Sequence, residues 1–462
     1  MSSRQQLTFP FGEVVKNHFE TSLNQTENLF VKLPYRNYFQ YPPLGAITAG
    51  AILPNVLDLA VGEMADSNPF TIFFSIPFCR VHCNSCPYFI AYLPKKRFNI
   101  DPISEYISLL ELQLRSYSAH PRFYRRVCRA IYFGGGTASL LPPESIRRLI
   151  NLSMSHFQLA VKHEITLEGN PREFSREYLD SAREAGITRI SIGFQSNSDS
   201  ILKTILNSPH TATQGLSSIN SALAAGFETV NVDLLYRIPG QTFEQWQFDL
   251  RLILNLRPES ITTYDYVVHS NSVAERLILS GKIGLQVSDT SIMDWARWTR
   301  LQMLQHGYEE SSSGTFTLPG HEQAYSLYTY GKGCDLVGLG AKAYSYINGY
   351  QFAAPGDISM YGHSVKQGMF PVIERISKKA SNSNLMERFV IFNLRRASMV
   401  SKIGFIERFG VPLRDVFPEE IALLERSGTL TESECAMELT ELGRQWRYNV
   451  LESFYNPCFL ET

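Results

Sequence analysis

Between residues 70 and 270, six short runs of β-branched or aromatic residues each lead into a longer segment of helical period, and this alternation constrains the chain more than any other feature. The runs are TIFFSI, RAIYFGGG, EITLEG, TRISIGF, TVNVDLLY and SITTYDY. Between them, ISEYISLLELQLRSYSAH, PESIRRLINLSMSHF, REYLDSAREAG, GLSSINSALAAG and TFEQWQFDLRLILNL gather apolar residues on one helical face, and Gly186 and Gly226 stand where helix C-caps are expected. Strands that alternate with helices pair in parallel, because each helix carries the chain back across the sheet. Six such units predict an α/β fold, a partial or open (β/α)6 barrel. In barrels of this kind the strand C-terminal ends and the loops after them form the reaction face, so the residues following each run are the ones to examine.

The flanks read differently. Residues 1–69 carry Pro, Gly and aromatic residues without periodicity and are expected to form an irregular N-terminal extension. Residues 271–380 are irregular and rich in aromatics, with Tyr325, Tyr328, Tyr330, Tyr344, Tyr346 and Tyr350 close together. They are expected to complete the barrel, and their rings serve either as core packing or as a substrate-facing lining. Residues 381–462 predict a small, mostly helical C-terminal domain of three or four short helices with a β-hairpin near ECAMELTELG. Internal repeats and low-complexity tracts are not evident.

Lys plus Arg at 43 against Asp plus Glu at 44 leaves a net charge of −1, which gives no bulk electrostatic case for nucleic acid or an anionic membrane. The opening MSSRQQLTFPFGEVVKNHFE lacks the apolar run of a signal peptide, and no transmembrane stretch of about 18 apolar residues is seen, so a cytoplasmic protein is expected. Seven cysteines are an odd number for a disulfide framework, and three of them fall within eight residues. Cys128, Cys334, Cys435 and Cys458 are isolated and read as ordinary thiols.

The clustered three lie in FFSIPFCRVHCNSCPYF, which runs off the first strand. Cys79, Cys83 and Cys86 are spaced so that one short loop can wrap a single iron–sulfur cube, three thiolates ligating three irons and leaving the fourth open. A zinc site wants a fourth ligand and paired knuckles, and only His82 lies nearby, so zinc and an accidental thiol cluster are weaker alternatives.

A three-cysteine loop of this spacing after the first strand resembles the signature of the radical S-adenosylmethionine (SAM) superfamily. FGGGTASLL, LEGNP, SIGFQS, NVDLLYRIPGQT and LGAKAYSYINGY, in this order over roughly residues 70–350, resemble blocks of its oxygen-independent coproporphyrinogen III oxidase-like (HemN-like) branch. The resemblance implies a [4Fe–4S] cluster on Cys79, Cys83 and Cys86, and SAM chelating the open iron. It implies that Gly135, Gly136 and Thr137 meet the methionyl end of SAM, and that Glu168, Gln195 and Asp233 contact it from the third, fourth and fifth strands. On the residues alone, Glu168 could instead cap a helix and Asp233 could pair with an Arg. Phe78 and Tyr88, flanking the cysteines, are expected to shield the cluster and the adenine. A low-potential electron donor, flavodoxin or ferredoxin, is implied as partner, and the C-terminal domain is expected to be HemN-like.

The chain also departs from the branch. Its decarboxylase usually has Tyr and His where Phe73 and Ser75 stand here, and a further Cys where Pro87 and Tyr88 follow the loop. Ala343-Tyr344-Ser345 replaces AHS, Arg237 replaces the Gly of YGLPGQT, and an Arg common before His210 is missing from NSPH. These differences favour a divergent member. The leading expectation is a class C radical SAM methyltransferase that uses two SAM molecules on an sp2 carbon of a flat aromatic substrate, such as demethylated menaquinone, with Tyr344 and Tyr88 as candidate proton-relay residues. The alternatives are a tetrapyrrole enzyme, decarboxylating coproporphyrinogen III or opening heme, and a non-catalytic heme carrier. His321 and His363 are lone and read as structural.

Overall fold

A computed structural model describes residues 41, 48–49, 69–86, 91–92, 101–123, 126–268, 272–283 and 290–456. All six expected strands form: β1 (Phe70–Ile76), β2 (Val127–Gly135), β3 (Gln158–Gly169), β4 (Arg189–Gln195), β5 (Thr229–Tyr236) and β6 (Ser260–Asp265). They lie side by side in chain order, every neighbouring pair parallel. Between them run α1 (Pro102–Ala119), α2 (Pro143–His156), α3 (Arg176–Glu184), α4 (Ala212–Ala225) and α5 (Phe243–Leu256). Helices α4 and α5 start at capping boxes, where Thr211 with Gln214 and Thr242 with Gln245 exchange side-chain and backbone bonds. Gly226 ends α4 with φ of 78°, and Gly186 turns the chain just past α3 with φ of 107°.

The two faces of the strands divide the chemistry. One face is apolar: Phe70, Ile72, Phe74 and Ile76 of β1, Ile131 and Phe133 of β2, and Ile190, Ile192 and Phe194 of β4 are buried under the helices in one core. Each large side chain there contributes about 1.5–3 kcal/mol. The other face lines the lumen and holds Thr71, Phe73, Tyr132, Glu168, Ser191, Asn231 and Asp233. Period-two alternation, held in register by pairs such as Phe73 with Tyr132 and Glu168 with Ser191, keeps the two sets apart.

Residues 271–380 lengthen the sheet at both edges. Strands β7 (Glu309–Ser312) and β8 (Thr315–Thr317) add antiparallel beyond β6. On the other side β9 (Asp335–Leu339) runs parallel to β1, and β10 (Tyr344–Ile347), β11 (Tyr350–Ala353), β12 (Arg375–Ile376) and Thr48–Ala49 continue antiparallel outward, giving thirteen strands in linear order. The barrel therefore stays open, as a partial barrel should. Between the two additions, Ala324–Gly331 enters the lumen from below: Glu164 accepts the N–H groups of Ala324 (3.1 Å) and Tyr325 (3.2 Å), and the hydroxyls of Thr329 and Thr71 meet at 2.8 Å. Tyr325 packs its ring 4.9 Å from Tyr132, and Tyr346 lies under the Arg388 guanidinium at 3.9 Å. Tyr325 and Tyr346 are thus buried packing, the first of the two roles expected for these rings.

The C-terminal region is mostly helical. Helices Asn382–Ala397, Lys402–Phe409, Leu413–Val416, Pro418–Arg426, Glu441–Gln445 and Arg447–Glu452 surround a sheet of β13 (Met399–Ser401), β14 (Leu430–Glu432) and β15 (Ala436–Leu439). The expected hairpin is β14–β15. Helices outnumber the three or four expected because Gly410, Pro412 and Pro418 cut one stretch into three. This region has its own core, including Val390, Ile391, Phe405, Leu424, Met437 and Val450, into which Tyr41 packs. No helix among the described residues is long and apolar enough to cross a membrane.

One carboxylate ties this region to the sheet. Glu310 on β7 accepts from Arg447 at 2.7 Å, Arg444 at 3.2 Å and Arg300 at 3.3 Å. Burial opposes its ionisation, yet the guanidiniums of Arg447, Arg444 and Arg300 hold its carboxyl below the ordinary range. Its stabilisation is therefore present above the ordinary carboxylate pKa of 4.5 and is lost as pH falls through the lowered value. Replacing Glu310 with Gln strands buried cations and should cost about 3 kcal/mol. Calorimetry should then show the C-terminal region unfolding ahead of the barrel; an unchanged single transition would contradict this role.

Candidate cofactor site at the strand ends

Beyond β1, Pro77 leads into a two-residue parallel bridge of Phe78–Cys79 with Ala91–Tyr92, fastened by Ala91 N–H to the Pro77 carbonyl at 2.7 Å. The loop then turns back on itself, Cys86 N–H bonding the Cys83 carbonyl at 3.1 Å. Cys79 is buried, and its sulfur lies 3.2 Å from the Thr137 hydroxyl. Burial pushes the Cys83 thiol up to about 12, with the neighbouring Cys86 and Cys79 adding to the shift, and burial also raises Cys79. Three thiols thus sit within electrostatic reach of one another in a place that disfavours their ionisation, which calls for bound positive charge. Among the described residues no three His, Cys, Asp or Glu side chains close on a single metal ion. Three thiols on one short loop, near enough to raise the pKa of Cys83 together with burial, fit the three protein ligands of an iron–sulfur cube.

The glycine run at the end of β2 serves this loop first. Gly136 N–H bonds the Ile76 carbonyl at 2.7 Å, and Thr137 N–H bonds the Phe78 carbonyl at 2.9 Å. A Cβ on Gly136 would lie 2.8 Å from the Phe78 oxygen, and Gly135 has φ of 116°, so neither position takes a side chain without displacing the cysteine loop. The expected donors are therefore committed to the protein. What faces the site is the Thr137 hydroxyl, against Cys79, and Gly135 N–H, which bonds Glu168 at 3.2 Å.

Glu168 ends β3 in the lumen, held also by the Tyr132 hydroxyl at 2.7 Å. Burial raises its pKa to about 7, helped by the charge of Asp233 and opposed by the Tyr132 and Gly135 bonds. Asp233 on β5 accepts from Ser191 at 3.1 Å and Asn231 at 2.8 Å, and burial lifts it to about 6 against those bonds and the charge of Arg189. Two carboxyls held above their ordinary range in one lumen prefer to share it with a cation. Gln195 closes β4 with φ of 67° at a register irregularity, and its amide nitrogen lies 3.0 Å from where a Gly193 side chain would begin.

Other expected residues lie elsewhere. The Phe78 ring packs edge-on against Tyr106 of α1, 5.2 Å between centroids, in the helix-covered core, so only its backbone serves the loop. Tyr344 starts β10, two strands out from β1, with Arg375 and Glu374 as its charged neighbours. Tyr88 lies outside the described residues. His321 bonds the Thr229 hydroxyl at 3.0 Å where β5 begins, at the far end from the cysteines, and His363 is on the exposed side of its helix. Arg237, where the resemblance expects Gly, keeps a left-handed backbone, its guanidinium gripping Asp265 at 2.5 and 2.9 Å. Tyr132, Ser191 and Asn231 were not anticipated; each is a polar residue on the lumen side of an otherwise apolar strand, which is the signal that could have found them.

A radical SAM superfamily model matches residues 74–253, and a HemN C-terminal domain model matches residues 380–446. The chain belongs to the radical SAM superfamily, whose fold implies a [4Fe–4S] cluster and SAM. Within it, the chain is a member of the HemN-like branch. It is 27% identical to a heme chaperone HemW from Lactococcus lactis, over 84% of this chain and 97% of that protein. It is 25% identical to an anaerobilin synthase from Escherichia coli O157:H7, over 85% of each. The coproporphyrinogen III oxidase HemN of Escherichia coli shares its fold, with a TM-score of 0.72 and 24% identity over 84% of this chain and 90% of that one.

The raised carboxyls give the protein a pH signature. Folded Glu168 keeps its proton up to about pH 7 while the unfolded chain gives it up near 4.5, so stability falls as pH rises through that window. Replacing Glu168 with Gln should remove about 1–3 kcal/mol of that fall, read by chemical denaturation of the metal-free protein across the window. A slope identical to the parent's would show that Glu168 is not the group responsible.

Proposed function

We propose that the chain is a radical SAM protein acting on a tetrapyrrole, with the cluster on Cys79, Cys83 and Cys86, and SAM lying against the backbone of Gly135 and Gly136 and held by Thr137, Glu168, Gln195 and Asp233. The observation that carries this reading is that the cysteine loop, Thr137 and the two raised carboxyls meet at one end of the lumen. A reduced [4Fe–4S] cluster held there would supply the one electron that breaks the C5′–S bond of SAM, which releases methionine and a 5′-deoxyadenosyl radical. Glu168 accepts the ligand's ammonium, its carboxylate aimed by Tyr132 and Gly135. Asp233, oriented by Ser191 and Asn231, takes a second polar group, and Gln195 offers its amide between them. Tyr325 and its neighbours exclude water from below, which favours a long-lived radical. A flavodoxin or ferredoxin is the fitting electron donor.

The tetrapyrrole substrate is supported by the relatives, a heme chaperone and an anaerobilin synthase. The expectation of a two-SAM methyltransferase acting on a menaquinone precursor has no such support among these relatives.

The test is anaerobic reconstitution followed by titration with heme and with coproporphyrinogen III in the presence of SAM and dithionite. Formation of 5′-deoxyadenosine with a changed tetrapyrrole would establish an enzyme, and heme binding without SAM consumption would establish a carrier. Binding of neither tetrapyrrole would overturn the proposed substrate class. Replacing Cys83 with Ser should abolish the visible iron–sulfur absorption.

A further inference from the structure

The segment between the second and third cysteines is fastened outward. Asn84 is 6% exposed and makes three bonds to other parts of the fold. Its N–H reaches the Leu206 carbonyl at 2.9 Å, its side-chain amide reaches the Ile205 carbonyl at 2.7 Å, and its own carbonyl accepts Ala274 N–H at 3.0 Å. One turn away, the Asn207 side-chain amide bonds the His82 carbonyl at 2.9 Å from a left-handed backbone with φ of 51°, a conformation Asn tolerates better than most residues. Ile205 and Leu206 close the π-turn that follows β4, and Ala274 lies in the first turn of helix Val273–Leu279, which follows β6. A buried amide is costly unless its bonds are made, and here they are all directed at keeping this segment in place.

We infer that Asn84 is a positioning residue for the cluster, clamping the Cys83–Cys86 segment onto the connections after β4 and β6. This rests on the reading that Cys79, Cys83 and Cys86 hold a cluster. Cys79 is fixed by β1 and Thr137, whereas Cys83 and Cys86 depend on the clamp for their distance from it. The β4 connection begins just past Gln195, so the same clamp fixes the loop relative to that residue.

The test uses the full-length protein with Asn84 replaced by Asp, which keeps the shape but turns the donor into an acceptor facing the Ile205 carbonyl, and by Ala. A third variant, Asn207→Gly, keeps the left-handed turn and deletes only the second amide. After anaerobic reconstitution, iron release to a chelator should be about tenfold faster in N84D and N84A, as expected for losing a buried hydrogen bond. N207G should show a smaller change of the same sign. The electron paramagnetic resonance signal of the reduced cluster should shift or broaden while thermal unfolding of the barrel stays near the parent's. Release rates and spectra equal to the parent's would overturn the inference. If the parent itself bound no iron, the cluster reading would fail instead, and the clamp would still be tested by amide exchange in the metal-free protein. N84D should then speed exchange at residues 83–86 and at Ala274, and unchanged exchange there would refute the clamp.

Discussion

Two backbone hydrogen bonds, from Gly136 to Ile76 and from Thr137 to Phe78, set the geometry on which the site depends. They press the end of β2 against the start of the cysteine loop so closely that no side chain fits at Gly136. Because of that contact Cys79 is buried, Thr137 reaches its sulfur, and Gly135 is left to meet Glu168. The parallel register of β1 through β6 then decides which residues join them, since in each strand only alternate positions face the lumen.

The lumen is chemically divided. Its β4 to β6 side is polar, with Ser191, Asn231, Ser260 and Thr262 bonded into a network around Asp233. Its β1 to β3 side is aromatic, with Phe73 stacked on Tyr132 and Tyr325 tilted against both. Glu168 stands at the seam, touching the aromatic side through Tyr132 and sensing Asp233 across the space. Each carboxyl is neutralised in part by burial rather than by a paired Arg, which keeps the lumen hospitable to positive charge.

Much of this was legible because it rests on local patterns. Strand and helix periods placed α1 to α5 and the strands within a few residues, save that β3 begins six residues before EITLEG, and cysteine spacing marked the loop. What was not legible depends on partners distant in sequence. The resemblance sets Gly135 and Gly136 beside SAM, and only the fold shows that Gly136 also closes against Ile76 and Phe78. Phe78 was read as a shield beside its cysteine, but alternation sends its ring to the helix side. Tyr325 meets Tyr132 in the lumen while Tyr330 and Tyr346 meet Phe392 and Arg388 of the C-terminal region, so neither composition nor spacing could assign them. Asn84 looks like a filler between cysteines until Ile205, Leu206 and Ala274 come to it from far along the chain.

The helical segment at Ala324–Gly331 gives the chamber a floor. Glu164 holds its first turn and Thr71 its last, and tyrosine rings fill the space above. The cysteine loop and the two carboxyls stand at the other end, where the strands finish. The floor therefore sets how far anything lodged at the strand ends can reach into the lumen.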